Sequence, residues 1–150
     1  MRVTFDTNVL VSAFIAKHGH SANLLQIALT LEQIELVLSK PILDEFEDVL
    51  KRKDVRSRFE YTEGDIRRIV SALKKSSKIV RVKSKFRVVK EDPTDDVVLN
   101  TAHDGKAGYI VTGDQHLLKL RGFRNIKIVS PKKMIEVTSE RFPDFVFRLQ

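Results

Sequence analysis

The stretch MRVTFDTNVLVSAFI, residues 1–15, begins with a short β-type run that stops at Asp6 and then continues into a helix. The same order of strand and helix recurs along the chain. The predicted strands are residues 1–5, 34–38, 79–82, 109–112 and 126–129, and the predicted helices are residues 8–15, 22–31, 41–53, 63–75, 95–104, 117–120 and 131–137. Ser21 and Thr62 are the expected N-caps of two of these helices. The alternation predicts an α/β domain of three layers, α/β/α, with a mostly parallel sheet of roughly five strands.

Length and composition limit the class of protein. The chain has 150 residues, which suits one compact domain, and we assign residues 1–137 to it and residues 138–150 to a C-terminal tail. Apolar residues make up 42% and charged residues 31%, and no apolar run approaches the ~20 residues of a membrane span. The absence of cysteine excludes disulfides, thiolate zinc sites and cysteine catalysis. With an acid already at position 6 we expect no secretory signal, no membrane partner and a cytoplasmic protein.

The positive charge is concentrated in one segment. The chain carries a net charge of +7, but residues 51–90 hold 15 basic and only four acidic side chains, a local net of +11. The remaining residues have a net charge of −4. A polybasic segment beside mildly acidic surroundings favours a polyanionic partner such as nucleic acid. The alternative is a well-solvated helix pair in a heat-adapted protein.

Several acids occupy positions where a parallel sheet binds ligands. Asp6 follows the first predicted strand and Asp114 follows the fourth, and ligands of such sheets bind outside the carboxyl ends of the strands. A third group, the acids of residues 92–96, precedes the helix before the fourth strand. Each acid also has a structural explanation, because aspartate caps helices, stabilises their N-termini and occurs in turns.

The helix at residues 41–53 supplies a further acid. Its apolar side is formed by Ile42, Leu43, Phe46, Val49 and Leu50. Asp44 and Asp48 point away from this side, whereas Glu45 and Glu47 lie about 100° to either side of its centre. Either glutamate could therefore reach a site beside the sheet, and the helical geometry does not choose between them.

The convergence of these acids predicts a metal site. Several carboxylates at one edge of a sheet repel one another unless a cation holds them together. Hard divalent cations such as Mg²⁺ prefer oxygen ligands and combine protein carboxylates with phosphate oxygens. An acidic cluster beside a polybasic surface therefore indicates metal-dependent phosphodiester chemistry.

Four blocks of this sequence resemble the PIN-domain ribonucleases, and most closely the branch of VapC-type toxins. The blocks are FDTNVLVSA at residues 5–13, LS with ILDEF and VL between residues 38 and 50, DPTDD at residues 92–96 with Ala102, and YIVTGD with LL between residues 109 and 118. They occur in the order of the family and extend over residues 1 to about 137. The resemblance implies the PIN-like three-layer fold.

The resemblance also implies the site residues. The acids that match the family's catalytic and metal-binding positions are Asp6, Glu45, Asp95 and Asp114. It thus favours Glu45 over Glu47. The residues that match supporting positions are Thr7, Asn8, Asp96 and Thr112. The chain departs from the family pattern at His116, where an acid is common, and this histidine is a candidate substrate contact.

The implied activity is that of an endoribonuclease that cleaves single-stranded RNA with one or two Mg²⁺ or Mn²⁺ ions. The expected RNA-binding cations are Lys53, Arg56, Arg58, Arg67 and Arg68. The expected partners are RNA, an antitoxin protein and a second copy in a homodimer. The sequence leaves open whether the protein is a toxin, an RNA-maturation nuclease or a catalytically silent RNA-binding module.

Overall fold

The structure, a computed structural model, describes residues 1–16, 18–90 and 92–144. The strands are β1 (Arg2–Phe5), β2 (Glu35–Ser39), β3 (Lys78–Val80), β4 (Tyr109–Val111), β5 (Gly122–Phe123) and β6 (Ile126–Val129). The helices are α1 (Thr7–Ile15), α2 (His20–Thr30), α3 (Lys40–Lys51), α4 (Lys53–Arg56), α5 (Glu63–Ser76), α6 (Pro93–Asp104), α7 (Gln115–Leu118) and α8 (Pro131–Arg141). This is the predicted α/β/α architecture with a mostly parallel sheet.

The sheet has the strand order β3-β2-β1-β4-β6-β5. β1 lies between β2 and β4 and pairs with both in parallel, with Val3 opposite Leu36 on one side and Tyr109 on the other. The chain moves outward from β1 to β3 and later outward from β4 to β6, so the order reverses between β1 and β4. Right-handed crossovers then put α6 on the face opposite α1, α2, α3 and α5. Such a reversal opens a crevice at the carboxyl ends of the two central strands.

The core lies between the sheet and its two helical layers. Phe5 of β1 and Ile110 of β4 are fully buried, as are Phe46 of α3, Ile66 of α5 and Leu99 of α6. Each side chain of this size contributes about 1.5–3 kcal/mol when it is removed from water. The apolar sides of the helices, spaced at 3–4 residues in the sequence, therefore hold both layers against the sheet. No helix in the described residues is long and apolar enough to cross a membrane.

Side-chain caps start α1, α5, α7 and α8, whereas α2, α3 and α4 begin without one. The Thr62 hydroxyl accepts a hydrogen bond from the Asp65 N–H, and the Asp65 carboxylate accepts one from the Thr62 N–H, which confirms the predicted start of α5. The predicted N-cap at Ser21 is wrong. The chain turns at Gly19 with a φ of 137°, and α2 therefore begins one residue before Ser21.

The helix predicted for residues 41–53 is two helices. α3 ends at Lys51, and Arg52 has an extended backbone with ψ of 140° before α4 starts at Lys53. No proline or glycine marks the break, so it has no local signal among the residues around it. The break turns Arg52 out of the helical path at the end of α3.

The sheet has a sixth strand that was not predicted. β5 pairs antiparallel with β6 through a two-residue turn at Arg124 and Asn125, both with positive φ, at 46° and 67°. Two positive φ values are typical of the type I′ hairpin turn, which usually contains glycine. This turn has none, so a hairpin was not expected here. α8 extends beyond the predicted end at residue 137, into the tail predicted for residues 138–150, of which residues 145–150 lie outside the described part.

Candidate active site

Asp6 lies at the point where β1 ends and α1 begins. Its Oδ1 accepts a hydrogen bond from the Thr7 N–H at 2.7 Å, which caps α1, and its Oδ2 accepts one from the Thr112 hydroxyl at 2.7 Å. Burial raises the pKa of Asp6; the hydrogen bonds from Thr112 and Thr7 lower it, and the charges of Glu45 and Asp114 raise it again, with a net upward shift. The carboxylate is thus fixed in position and costly to keep charged.

Asp114 is placed by the strand and helix on either side of it. It follows β4 and caps α7, where its Oδ1 accepts hydrogen bonds from the His116 and Leu117 N–H groups at 2.7 and 3.3 Å. Its own N–H donates to the Thr112 hydroxyl at 3.0 Å. Since that hydroxyl also donates to Asp6, Thr112 connects the two acids at the ends of the two central strands.

Asp95 lies in the first turn of α6 and is 5% exposed. In the described part of the chain its Oδ2 is buried without a hydrogen-bond partner. Burial, together with the charges of Asp114, Asp92 and Asp6, raises the pKa of Asp95 to about 7. A buried carboxylate oxygen without a donor is unfavourable unless a further group binds it.

Glu45 reaches the same place from α3, and Glu47 does not. The Thr7 hydroxyl donates to Oε2 of Glu45 at 3.1 Å, so the residue after Asp6 joins this glutamate to the first strand. Glu47 instead pairs with Lys51 one turn further along α3, at 3.1 Å. The structure therefore distinguishes two glutamates that the helical geometry alone did not.

The four acids line a single cleft of about 330 Å³. Its acidic lining residues are Asp6, Glu45, Asp92, Asp95 and Asp114. Asn8 also lines the cleft and is exposed. Arg52 is the one cation among the described residues that line it.

The donor set of this cleft suits a hard divalent cation. Oxygen atoms of Asp95 and Asp114 and a ring nitrogen of His116 lie within 4.8 Å of one another. Oδ2 of Asp95 has no hydrogen-bond partner in the described part of the chain, and burial and the neighbouring acids raise the pKa values of Asp6 and Asp95, so a bound cation would stabilise the charged carboxylates. Carboxylate oxygens are the ligands that Mg²⁺ and Mn²⁺ prefer.

Two charged residues of the cleft, Asp92 and Arg52, were not predicted as site residues. Asp92 was counted in the group of acids at residues 92–96, but the family resemblance selected only Asp95 and Asp96 from that group. Arg52 reaches the cleft because α3 stops at Lys51, and this break has no signal in the sequence.

Asp96, predicted as a supporting residue, lies outside the cleft. Its Oδ1 accepts hydrogen bonds from the N–H groups of Val88 and Val89 at 2.8 and 2.9 Å. Neighbouring helical residues are about 100° apart around the axis, so only one of Asp95 and Asp96 can face the cleft. The carboxylate of Asp96 holds an extended segment against α6 instead.

The predicted RNA-binding cations are exposed on α4, α5 and the loop between them. They are Lys53, Arg56, Arg58, Arg67 and Arg68. α4 starts directly after Arg52 and so begins at the cleft, and α5 packs against α3. Arg68 pairs with Asp65 at 2.8 Å, which leaves it less available to a ligand than the others.

The fold and the cleft define an α/β protein with a doubly wound, mostly parallel sheet and a cluster of carboxylates where the strand order reverses. The family model of the PIN domain matches residues 2–116, and the chain belongs to the PIN domain family. The match confirms the resemblance to PIN domains that the sequence blocks indicated, and it supports the prediction that the protein is a nuclease.

Two further proteins are similar to this chain. Uncharacterized protein MJ1680 of Methanocaldococcus jannaschii is 30% identical over 144 residues, covering 91% of this chain and 90% of that protein. A chain in the crystal structure of VapBC2 from Rickettsia felis, bound to a DNA fragment from their promoter, has a TM-score of 0.57 at 16% identity. That comparison covers 87% of this chain and 98% of the other, and at this identity it shows the fold alone.

Proposed function

We propose that the protein is a metal-dependent endoribonuclease that cleaves single-stranded RNA at this cleft. The observation that carries the proposal is the convergence of four carboxylates from four separate segments, Asp6, Glu45, Asp95 and Asp114, in one cleft of a PIN-domain chain. A fold needs no such cluster for stability, because like charges at close range destabilise it. A silent RNA-binding module would gain nothing from keeping it.

One or two Mg²⁺ or Mn²⁺ ions would be held by these four acids. When bound, such an ion lowers the pKa of a coordinated water and stabilises the charge that develops on a phosphodiester. The chain's own contribution is to hold the carboxylates in place: Thr112 fixes Asp6 and the start of α7, and Thr7 fixes Glu45. Rigid ligands lose little entropy when they bind a metal or a substrate.

Arg52 is the residue of this cleft suited to a phosphate group. Its guanidinium can donate two parallel hydrogen bonds to phosphate oxygens, and it lies among acids that repel phosphate. The exposed cations Lys53, Arg56, Arg58, Arg67 and Arg68 continue from it along α4 and α5. We propose that this group draws the RNA towards the cleft.

We further propose that the nuclease is the toxin of a toxin–antitoxin pair and that it forms a homodimer. The fold similarity to a chain of the VapBC2 complex favours the toxin over an RNA-maturation nuclease. Growth arrest on expression of the wild-type chain, relieved by co-expression of a small DNA-binding protein encoded beside it, is the expected result. Light scattering of the purified chain measures the dimer.

The nuclease proposal is tested with purified protein and a labelled single-stranded RNA. We expect cleavage in the presence of Mg²⁺ or Mn²⁺ and none in chelator. Thermal melting gives a second measurement, because a cation that binds only the folded protein raises the melting temperature. Cleavage that continues in chelator would contradict the metal dependence, and a melting temperature unchanged by Mn²⁺ would contradict the metal site.

A further inference from the structure

Residues 81–90, here called the strap, form an extended segment outside the sheet. The strap follows β3 and leads towards α6. Its five cations are Arg81, Lys83, Lys85, Arg87 and Lys90. None of the cations proposed above to bind RNA belongs to it.

Three side chains of α6, spaced four residues apart, hold the strap in place. They are Asp96, Asn100 and Asp104, which lie on one side of the helix. Their hydrogen-bond donors are the backbone N–H groups of Val88 and Val89 for Asp96, of Phe86 for Asn100, and of Lys83 and Ser84 for Asp104. The Asn100 amide also donates to the Phe86 carbonyl at 3.3 Å, and the Ser84 hydroxyl donates to Asp104.

The exposure of the side chains shows which edge of the strap faces solvent. The three anchors meet the strap in sequence order: Asp96 binds it at Val88 and Val89, Asn100 at Phe86, and Asp104 at Lys83 and Ser84. Side chains alternate between exposed and partly buried from residue 81 to residue 88. One edge of the strap is therefore turned to the protein and the other to solvent.

The opposite edge carries only cations. Arg81, Lys83, Lys85 and Arg87 are exposed, whereas the residues between them are partly buried. In the ranges that the structure describes, none of these four forms an ion pair; the seven recorded ion pairs all involve other cations. The nearby acid Asp104 is occupied by backbone N–H groups. The edge is therefore a row of positive charges outside these ion pairs, one at every second residue from 81 to 87.

The row leads to the candidate active site. The strap runs from the C-terminal end of α6, at Asp104, to its N-terminal end, at Asp96. Asp92, two residues after Lys90 in the sequence, lines the cleft together with Asp95. A linear ligand lying on the strap would therefore reach the acids at its end.

We propose that the strap binds the phosphate backbone of a single-stranded nucleic acid and guides it into the cleft. Regularly spaced cations on a rigid support suit a ligand with one charge in each repeating unit. A protein partner would need exposed apolar anchors between the charges, and here the intervening side chains are partly buried, with the Phe86 ring against His103 and Phe123. Cleavage of the bound nucleic acid rests on the proposed nuclease function, whereas its binding to the strap does not.

The test compares two variants that lose the same charge. The strap variant is Lys83→Gln, Lys85→Gln, Arg87→Gln, and the control is Lys127→Gln, Lys132→Gln, Lys133→Gln, on β6 and α8. Fluorescence anisotropy measures binding of a labelled mixed-sequence RNA oligonucleotide in chelator, over a series of salt concentrations. We expect the strap variant to bind at least about tenfold more weakly than the control at low salt. Its salt slope should be smaller by up to about 2, from three lost contacts at ~0.7 each.

The outcomes separate this inference from the nuclease proposal. Equal affinity and equal salt slope in the two variants would overturn the role of the strap, whether or not the protein cleaves RNA. Weaker binding by the strap variant supports it even if no cleavage is ever observed. Protection of Lys83 and Lys85 from acetylation when wild-type protein binds RNA, measured by mass spectrometry, supports it without any substitution. Loss of binding to polyglutamate, with RNA binding unchanged, would instead assign the strap to an acidic protein and overturn the inference.

Discussion

The Thr112 hydroxyl donates to Oδ2 of Asp6 at 2.7 Å, across the boundary between the two central strands. The hydroxyl oxygen of Thr112 also accepts a hydrogen bond from the Asp114 N–H at 3.0 Å, and Thr112 is fully buried. One hydroxyl thus uses both its donor and an acceptor position to fix two acids that are more than 100 residues apart in the sequence. The geometry of the cleft depends on this residue as much as on the carboxylates.

Replacement of Thr112 by valine should damage both stability and cleavage. The variant leaves Oδ2 of Asp6 and the N–H of Asp114 without their partner, and an unsatisfied buried group costs about 1–3 kcal/mol. Chemical denaturation and cleavage assays measure the two effects. Thr112→Ser keeps the hydroxyl and should recover cleavage; if serine recovers stability but not cleavage, the positioning role of Thr112 is wrong.

Replacement of Asp6 by asparagine should separate activity from stability. Asparagine caps helices as well as aspartate does, so the hydrogen bond to the Thr7 N–H is retained. It also removes a charge whose burial is unfavourable, as the raised pKa of Asp6 shows. We expect the melting temperature of the metal-free protein to stay the same or rise, while cleavage falls at least about 100-fold. Wild-type cleavage rates in this variant would rule out Asp6 as a catalytic acid.

The two glutamates of α3 provide a matched pair. Glu45→Gln removes the carboxylate that lines the cleft and accepts the Thr7 hydroxyl, and we expect cleavage to fall by about 100-fold or more. Glu47→Gln removes only a partly exposed ion pair with Lys51, worth well under about 1 kcal/mol, and should cleave at the wild-type rate. The reverse ranking in a cleavage assay would show that the site uses Glu47.

The fold was largely predictable because its signals are local. Runs of β-branched and apolar residues marked the five parallel strands, and the Thr62 cap marked α5 within one residue. β5 was not predicted because its turn at Arg124 and Asn125 adopts positive φ without glycine. The break at Arg52 was not predicted because no helix-breaking residue stands where α3 ends.

The site was predictable in part, for a different reason. Asp6 and Asp114 follow strands whose carboxyl ends must meet, so topology alone brings them together. The choice between Glu45 and Glu47 needed the family resemblance, because both lie at the edge of the buried side of α3. Asp96 shows the limit: its partners are backbone N–H groups of the strap, and no sequence pattern reveals which backbone groups an extended segment presents.

The raised pKa of Asp95 predicts how the stability of the metal-free protein depends on pH. Its folded-state pKa is about 7, above its ordinary value of 3.8, so the folded protein binds a proton that the unfolded chain releases. The associated stability is fully present below the ordinary pKa and is lost as the pH rises through about 7. We expect the melting temperature in chelator to fall between about pH 5 and pH 8.

The variant Asp95→Asn and added metal provide the controls for this pH profile. Asp95→Asn cannot titrate at this position and should show a smaller fall, with the remainder due to Asp6. Mn²⁺ favours the deprotonated carboxylates and should raise the melting temperature most at the high end of the range. Identical pH profiles for wild type and Asp95→Asn in chelator would contradict the assignment of the shift to Asp95.

The cations of α4 and of the loop after it should affect RNA affinity and leave catalysis intact. Lys53, Arg56 and Arg58 are exposed and follow Arg52, which lines the cleft. Their combined replacement by alanine should weaken RNA binding and reduce its salt slope by up to about three contacts at ~0.7 each. Turnover at saturating RNA should stay near the wild-type value, because no acid of the cleft is changed. The fold should also be retained, since exposed charges contribute little individually. Unchanged affinity and salt slope, with a lower melting temperature, would show that these cations serve stability and that RNA approaches the cleft from another side.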